Sequence, residues 1–357
     1  MKKLSIFLCL ITMFVFFPFS TGCSIAGNFG GDSSEIGVIN SSDSEAQDAD
    51  DFTYKKVGNT IQITGVKNTS ITSANVPDKI KNLDVTSFSA NAFKNCNKLQ
   101  SITIPSGVTG IENECFLGCT SINMVIIKNL ANWCSIRFGF SYDYNHPFSS
   151  SGSGKLFIQY GNDKPQELTE ISIPNDIIAL YGTFQGCNNI TKVTFNSEIV
   201  VGACSFYGCV NLSTITTSSG SRTITNIGDY AFADCKKLTS ISLTGVTHIG
   251  LKAFMKSGLT SVVIPATATE LSEEVFSECA DLTSAQITFS DRLTYIPDMC
   301  FNKCGKLNSF TAGNSGKLTN IGYRAFYECS SLNSISGFDS WSGNISDGNS
   351  YFQNCLS

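Results

Sequence analysis

One phrase recurs along this chain, and that recurrence constrains the fold more than anything else in the sequence. Residues 231–243 read AFADCKKLTSISL, residues 325–335 read AFYECSSLNSI, and residues 92–102 read AFKNCNKLQSI. The Phe of the phrase falls at 93, 116, 184, 206, 232, 254, 276, 301, 326 and 352, with spacings of 22 to 26 residues and one jump of 68 from Phe116 to Phe184. Three residues later stands a Cys: Cys96, Cys119, Cys187, Cys209, Cys235, Cys279, Cys304, Cys329 and Cys355. Ser257 takes that place in a unit one residue shorter. A fixed period of this length is the mark of a repeat architecture.

Each unit has three parts. Leu99-Ile102-Ile104 and Leu238-Ile241-Leu243 end in period-two alternation, which predicts a short strand with one buried face. Pro77, Pro105, Pro174 and Pro265 close several such strands, where a missing N–H is tolerable. A V-T-x-I segment follows, as at Val108-Ile111, Val246-Ile249 and Leu318-Ile321. The A-F-x-x-C-x-x-L segment then has the spacing of a helical or 3₁₀ turn that buries Phe, Cys and Leu together. A unit this short cannot cover its own apolar side, so neighbours must stack, with like residues in columns. The expected fold is an α/β-type repeat solenoid, a right-handed superhelix with one short parallel strand per unit and short helical turns opposite.

These units resemble the BspA-like subclass of leucine-rich repeats, over roughly residues 52–357. The Asn that commonly follows the strand in leucine-rich repeats is missing here; its place holds Pro or Thr. The opening FTYKKVGNTIQITGV (52–66) is similar to the family's usual first unit, which implies an N-terminal capping unit over 52–91. The long jump is read as an insertion at about 128–165 plus one incomplete unit, since Leu168-Ile171-Ile173-Pro174 is again a repeat strand. The NLANWC that opens the insertion also occurs in family members. Its aromatic residues make Trp133, Tyr142 and Tyr144 candidate contacts.

The N-terminus is of a different kind. Lys2 and Lys3 precede an apolar run from Leu4 to Pro18, too short to span a bilayer comfortably, followed by FSTGCS. Ser20-Thr21-Gly22-Cys23 resembles the lipobox of bacterial lipoproteins, which implies a signal peptide over 1–22 and acylation of Cys23. Residues 24–51 carry seven acids and no Lys or Arg, with much Gly and Ser. Such a stretch cannot bury enough surface to order itself and reads as a tether, over 23–51 with the acylated Cys. The expected location is the bacterial envelope, exported, lipid-anchored in the outer membrane and exposed at the surface.

Chemistry finds little purchase. Charged residues are 15% of the chain and the formal net charge is −5, which offers no electrostatic grip on nucleic acid. Thirteen cysteines remain besides Cys9 and Cys23, nine of them at one repeat position between the ladder Phe and Leu. That is where a small apolar side chain packs, so they are read as structural thiols. Cys115/Cys119 and Cys300/Cys304 have C-x-x-x-C spacing, unlike a zinc motif. His248 sits at an outward repeat position and His146 in the insertion, neither with partners for a triad. SGSGK (151–155) lacks the framing of a phosphate loop. No cofactor, no metal and no enzyme activity are expected.

Two outward rows follow from the register of the strands. One is Ser101, Met124, Lys192, Thr214, Ser240, Ser261, Ser284, Ser309 and Ser334. The other is Thr103, Ile126, Thr194, Thr216, Ser242, Val263, Gln286, Thr311 and Ser336. Mostly hydroxyls and nearly uncharged, they suit either an exposed sheet that must stay soluble or an extended protein-binding surface. From them Thr103, Lys192, Thr194, Thr214, Thr216, Ser240, Ser242, Val263, Gln286 and Thr311 are the candidate binding face. What the resemblance implies is a monomeric surface adhesin whose partners are host extracellular-matrix or cell-surface proteins. The rivals are a structural envelope component without a host ligand and a carbohydrate-active enzyme on another solenoid.

Overall fold

Each repeat of the chain closes one rung with three sides, and the rungs lie on one another. The computed structural model describes residues 49–138, 145–217 and 224–338 together with 352, 354 and 355. All of them fall within one compact unit, Ser41–Ser357. The expected signal peptide, Cys23 and nearly all of the acidic tether lie outside the described residues.

The first side of the rungs carries the L-x-x-I-x-I strands in three parallel stacks. The first runs through Ser73–Asn75, Ser101–Ile104, Met124–Ile127 and Lys155–Ile158, with Gln166–Glu167 antiparallel at its edge. The second holds Glu170–Ile173, Lys192–Phe195 and Thr214–Thr217. The third holds Ser261–Ile264, Ser284–Thr288, Ser309–Gly313 and Ser334–Ser336. On the second side the V-T-x-I segments make pairings of two or three residues, such as Asn226 with His248 and His248 with Glu270. At the chain's start Phe52–Val57 and Thr60–Val66 form an antiparallel hairpin, and the latter strand pairs parallel with Leu83–Phe88.

The third side differs from the expected helix. In every unit from Phe93 to Phe326 in the columns above, the residues two before and two after the Phe have positive φ. Tyr230 (55°) and Asp234 (59°) flank Phe232; Lys252 (54°) and Lys256 (59°) flank Phe254. A left-handed residue on each flank turns alternate N–H groups toward the next rung, while those between, such as Ala231 and Ala233, donate within their own rung. Tyr230 N–H thus donates to Leu251 O at 2.9 Å, Phe232 N–H to Ala253 O at 2.8 Å and Asp234 N–H to Met255 O at 2.8 Å. The turns are a ladder in their own right, which compensates non-glycine residues for left-handed backbone.

Inside, the Phe rings stack face to face. Centroids from Phe206 through Phe232, Phe254, Phe276 and Phe301 are 5.4–5.5 Å apart, with planes within 9° of parallel. The thiols add a bond that packing alone does not require. Cys235 Sγ donates to Phe206 O at 3.1 Å, Cys279 to Phe254 O at 3.1 Å, and Cys304 to Phe276 O at 3.1 Å. Cys119, Cys209 and Cys329 make the same bond to the preceding rung at 2.9–3.0 Å. Among the described residues all thirteen cysteines are buried and outside any disulfide. Burial pushes Cys279 up to about 11 and Cys134 up to about 12, so neither forms a reactive thiolate at neutral pH.

The segment read as an insertion supplies a rung of its own. Lys155–Ile158 pairs in register with Met124–Ile127, and Phe148-Ser-Ser-Ser151 stands where other units have F-x-x-C. Ser150, one residue before the thiol's place, donates its Oγ to Phe116 O at 2.9 Å, the kind of acceptor a thiol uses elsewhere. Gly154 N–H donates to Gly186 O at 2.9 Å and Asn188 N–H to Gly154 O at 2.9 Å. Gly186 is required here: its φ is +69°, and a Cβ would meet Gly152 O at 2.8 Å. Asn189, 6% exposed, closes the joint by accepting from Leu156 N–H at 2.9 Å and donating to Leu156 O at 2.8 Å and Leu168 O at 2.9 Å.

Candidate functional site

The strand face is built from residues that alternate with the core. In the second stack Lys192 stands beside Thr214, and Thr194 beside Thr216, with the two threonine hydroxyls 2.8 Å apart. In the third, Val263, Gln286 and Thr311 lie side by side; Val263 is 57% exposed, and Thr311 Oγ1 is 3.2 Å from Ser336 Oγ. The structure brings together those seven of the expected face residues, in two groups. Ser240 and Ser242 are exposed but belong to no strand, because the 239–243 segment makes no ladder with Thr214–Thr217.

Two expectations are corrected. Thr103 is only 6% exposed: Asn75 and Ile126 occupy the adjoining strands at its level, and it belongs to the buried set rather than to the face. Trp133 is 1% exposed. It lies on the helix Leu130–Ser135, started by Asn129, whose side chain accepts from Asn132 N–H at 3.0 Å. Its indole N–H donates to Thr183 O at 3.0 Å, and its ring packs 4.8 Å from Phe138 and 5.6 Å from His146. It is the centre of a small aromatic core, with Phe148 on the far side of His146 at 5.5 Å. Tyr142 and Tyr144 lie outside the described residues.

His146 itself is fully buried in that core. Phe148 N–H donates to its Nδ1 at 3.2 Å, which leaves the ring proton on Nε2. Burial pushes its pKa down to about 3, against a weaker pull from the Thr183 carbonyl. The group is a neutral packing element and has no part in proton transfer at ordinary pH.

Reading the insertion as a rung also changes the face. Phe157 lines up with Ile126, and Lys155 with Met124, so Met124, Ile126 and Phe157 form a half-buried apolar group. Ion pairs occur on the same side of the rungs: Lys155–Glu167 at 3.1 Å within this stack, Lys128–Asp78 at 2.8 Å just beyond Ile127, and Lys192–Glu170 at 3.1 Å in the second stack. Although burial pushes the Asp78 carboxyl up, hydrogen bonds from Lys128 and Ser106 hold it below the usual carboxylate range. The face is thus more charged than the two rows alone suggest. Phe148, offset from the Cys-bearing pattern by a Ser, was the signal for it.

Residues 59–141, 163–283 and 269–357 match the family described as "BspA type Leucine rich repeat region", in six copies. The chain belongs to this family. No curated protein matches the BspA-type chain in sequence. Among solved structures, it is similar to a leucine rich cell surface protein from Faecalibacterium prausnitzii at 20% identity and a TM-score of 0.46, covering 80% of this chain and 75% of that one. A leucine-rich repeat protein from Eubacterium ventriosum is similar at 15% identity and a TM-score of 0.45, covering 78% and 80%. One from Bacteroides ovatus follows at 18% identity and a TM-score of 0.39, covering 82% and 88%.

Proposed function

We propose that this BspA-type protein is an exported, lipid-anchored surface protein that binds other proteins through its strand face. The observation that carries the reading is the composition of that face: Met124, Ile126 and Phe157 in register, with ion pairs and hydroxyl rows on the same side of the rungs. An apolar centre with a polar rim is how protein–protein contacts are built. Hydroxyls dominate the rest of the face, where catalysis requires converging acids and bases. Acylation of Cys23 holds the chain at the membrane, and the acidic stretch after it separates the solenoid from the anchor. Host matrix and cell-surface proteins are the partners the family suggests.

The test is binding of the purified chain to immobilised extracellular-matrix proteins. A variant with Thr194, Thr216, Ser242 and Gln286 changed to Lys, and a second with Phe157→Ser, are run beside it. Saturable binding lost in both folded variants supports the reading. Absence of binding to any matrix protein, with the chain protected from protease on intact cells, favours a structural envelope component instead. Incorporation of a tagged fatty acid that Cys23→Ser abolishes tests the anchor.

A further inference from the structure

We infer that the cleft between the helix Leu130–Ser135 and the short strand Ala179–Leu180 is a second docking site. Its ligand is an extended peptide segment of a partner protein, with an aliphatic side chain flanked by a carboxylate and a basic group. The inference rests on the protein-binding reading but places contact on a different side of the rungs.

The cleft has a volume of about 200 Å³, the size of one amino-acid residue. Ile136 and Ile177 form its floor, 1% and 7% exposed, and Ile178 stands at its rim, 73% exposed. The repeat itself shows that Ile178 is out of place. The same position holds Thr109, Thr225, Thr247, Thr269, Thr294 and Thr319 in other units. Those threonines do structural work: Thr247 Oγ1 donates to Thr225 O at 3.2 Å, Thr269 to Thr247 O at 3.0 Å, and Thr319 to Thr294 O at 2.9 Å. Ile178 gives up that bond and exposes a large aliphatic side chain beside a cleft.

Charge supplies the second half of the argument. Arg137 and Asp176 both line the cleft, and neither is in an ion pair among the described residues. Some Lys and acid side chains elsewhere are paired from rung to rung, as in Lys252–Glu274 at 3.2 Å and Lys306–Asp281 at 2.7 Å. The Arg137 guanidinium is instead held 4.7 Å over the Tyr181 ring, which orients it without satisfying its charge. A fixed, unpaired Arg beside Tyr and an exposed aliphatic side chain is the make-up of a binding hot spot. The complement is a carboxylate for Arg137, an apolar side chain for the isoleucines and a cation for Asp176. Residue size and openness favour a stretch of peptide lying across the cleft.

The test uses the full chain and two fluorescein-labelled heptapeptides, Ser-Gly-Glu-Leu-Lys-Gly-Ser and Ser-Gly-Lys-Leu-Glu-Gly-Ser, by fluorescence anisotropy. The expected result is saturable binding of one order in preference to the other. Affinity should fall about tenfold, or about 1.4 kcal/mol, in Arg137→Gln and again in Ile178→Thr. Ile178→Thr installs the repeat's own residue, so loss of binding there cannot be loss of fold. Replacing the peptide Leu by Ser should abolish binding. No saturable binding of either peptide, or equal binding by the two variants and the parent, overturns the inference. Matrix binding that survives Ile178→Thr while no peptide binds sinks the cleft alone; peptide binding without matrix binding sinks the strand-face reading alone.

Discussion

Between Phe206 and Phe326 the stack advances through like joints, whereas between Phe116 and Phe184 it makes the same joints with other parts. The regular rungs use a Phe ring on a Phe ring and, except at Ser257, a thiol on the carbonyl of the rung before. The irregular stretch replaces the thiol by the Ser150 hydroxyl and the backbone of a strand by the Asn189 amide. It fills the interior with Trp133, Phe138, His146 and Phe148 in place of the Phe column. What the fold demands is therefore a set of hydrogen bonds and filled volumes, and residue identity is one way among several to meet it.

The comparison is tested hardest at its most regular point. Phe232 is wholly buried between Phe206 and Phe254, 5.4 Å from each, so Phe232→Ala should cost about 3–5 kcal/mol in urea unfolding. A loss under 1 kcal/mol would mean that the rings do not carry the stack. At the irregular joint, Asn189→Ala strands Leu156 N–H and two carbonyls, at a cost of about 2–4 kcal/mol. Hydrogen exchange should show Lys155–Ile158 opening while Ser284–Thr288 stays protected.

The two regions should also part company with pH. His146 has a folded pKa of about 3, below its usual 6.5, so the folded state binds fewer protons than the unfolded chain between those values. Stability is full above pH 6.5 and declines as pH falls toward 3, by about 1.4 kcal/mol per unit. At pH 5 the aromatic core should be weaker by about 2 kcal/mol, and His146→Gln should remove that slope. Uniform exchange across both regions at pH 5 would contradict this.

Smaller effects sharpen the picture. Cys235→Ala loses the bond to Phe206 O and should cost about 1 kcal/mol more than Cys235→Ser, which keeps a donor as Ser150 does. Lys303 has φ 60° and an exposed side chain, so Lys303→Gly should stabilise the chain by about 0.5–1 kcal/mol. Thermal melts of these variants settle both.

The columns of Phe, Cys, Leu and Ile were legible because a period repeated many times stands out from any background. The left-handed turns were not, since only four of their eighteen flanking positions, Gly118, Gly182, Gly186 and Gly208, hold the glycine that would mark them. The rung at Phe148 escaped notice because two changes coincide there, Ser for Cys and a Phe-to-strand interval one residue shorter, although Phe254-Met-Lys-Ser257 makes the same two changes. Thr103 reads as a face residue by alternation alone; only its neighbours' bulk shows otherwise. The site at Arg137 and Asp176 joins positions 39 residues apart in sequence (176 minus 137), which no local pattern reveals.

One consequence concerns how such a chain changes over generations. Phe232, Phe254 and Phe276 are each 22 residues apart, and each presents to its neighbour the same ring, the same carbonyl and the same row of amides. Cutting out one such interval would bring together two surfaces that already fit. Recombination at equivalent points of two units would then give shorter or longer relatives in whole steps, and the reach of the molecule would become a heritable quantity that varies independently of what its surface recognises.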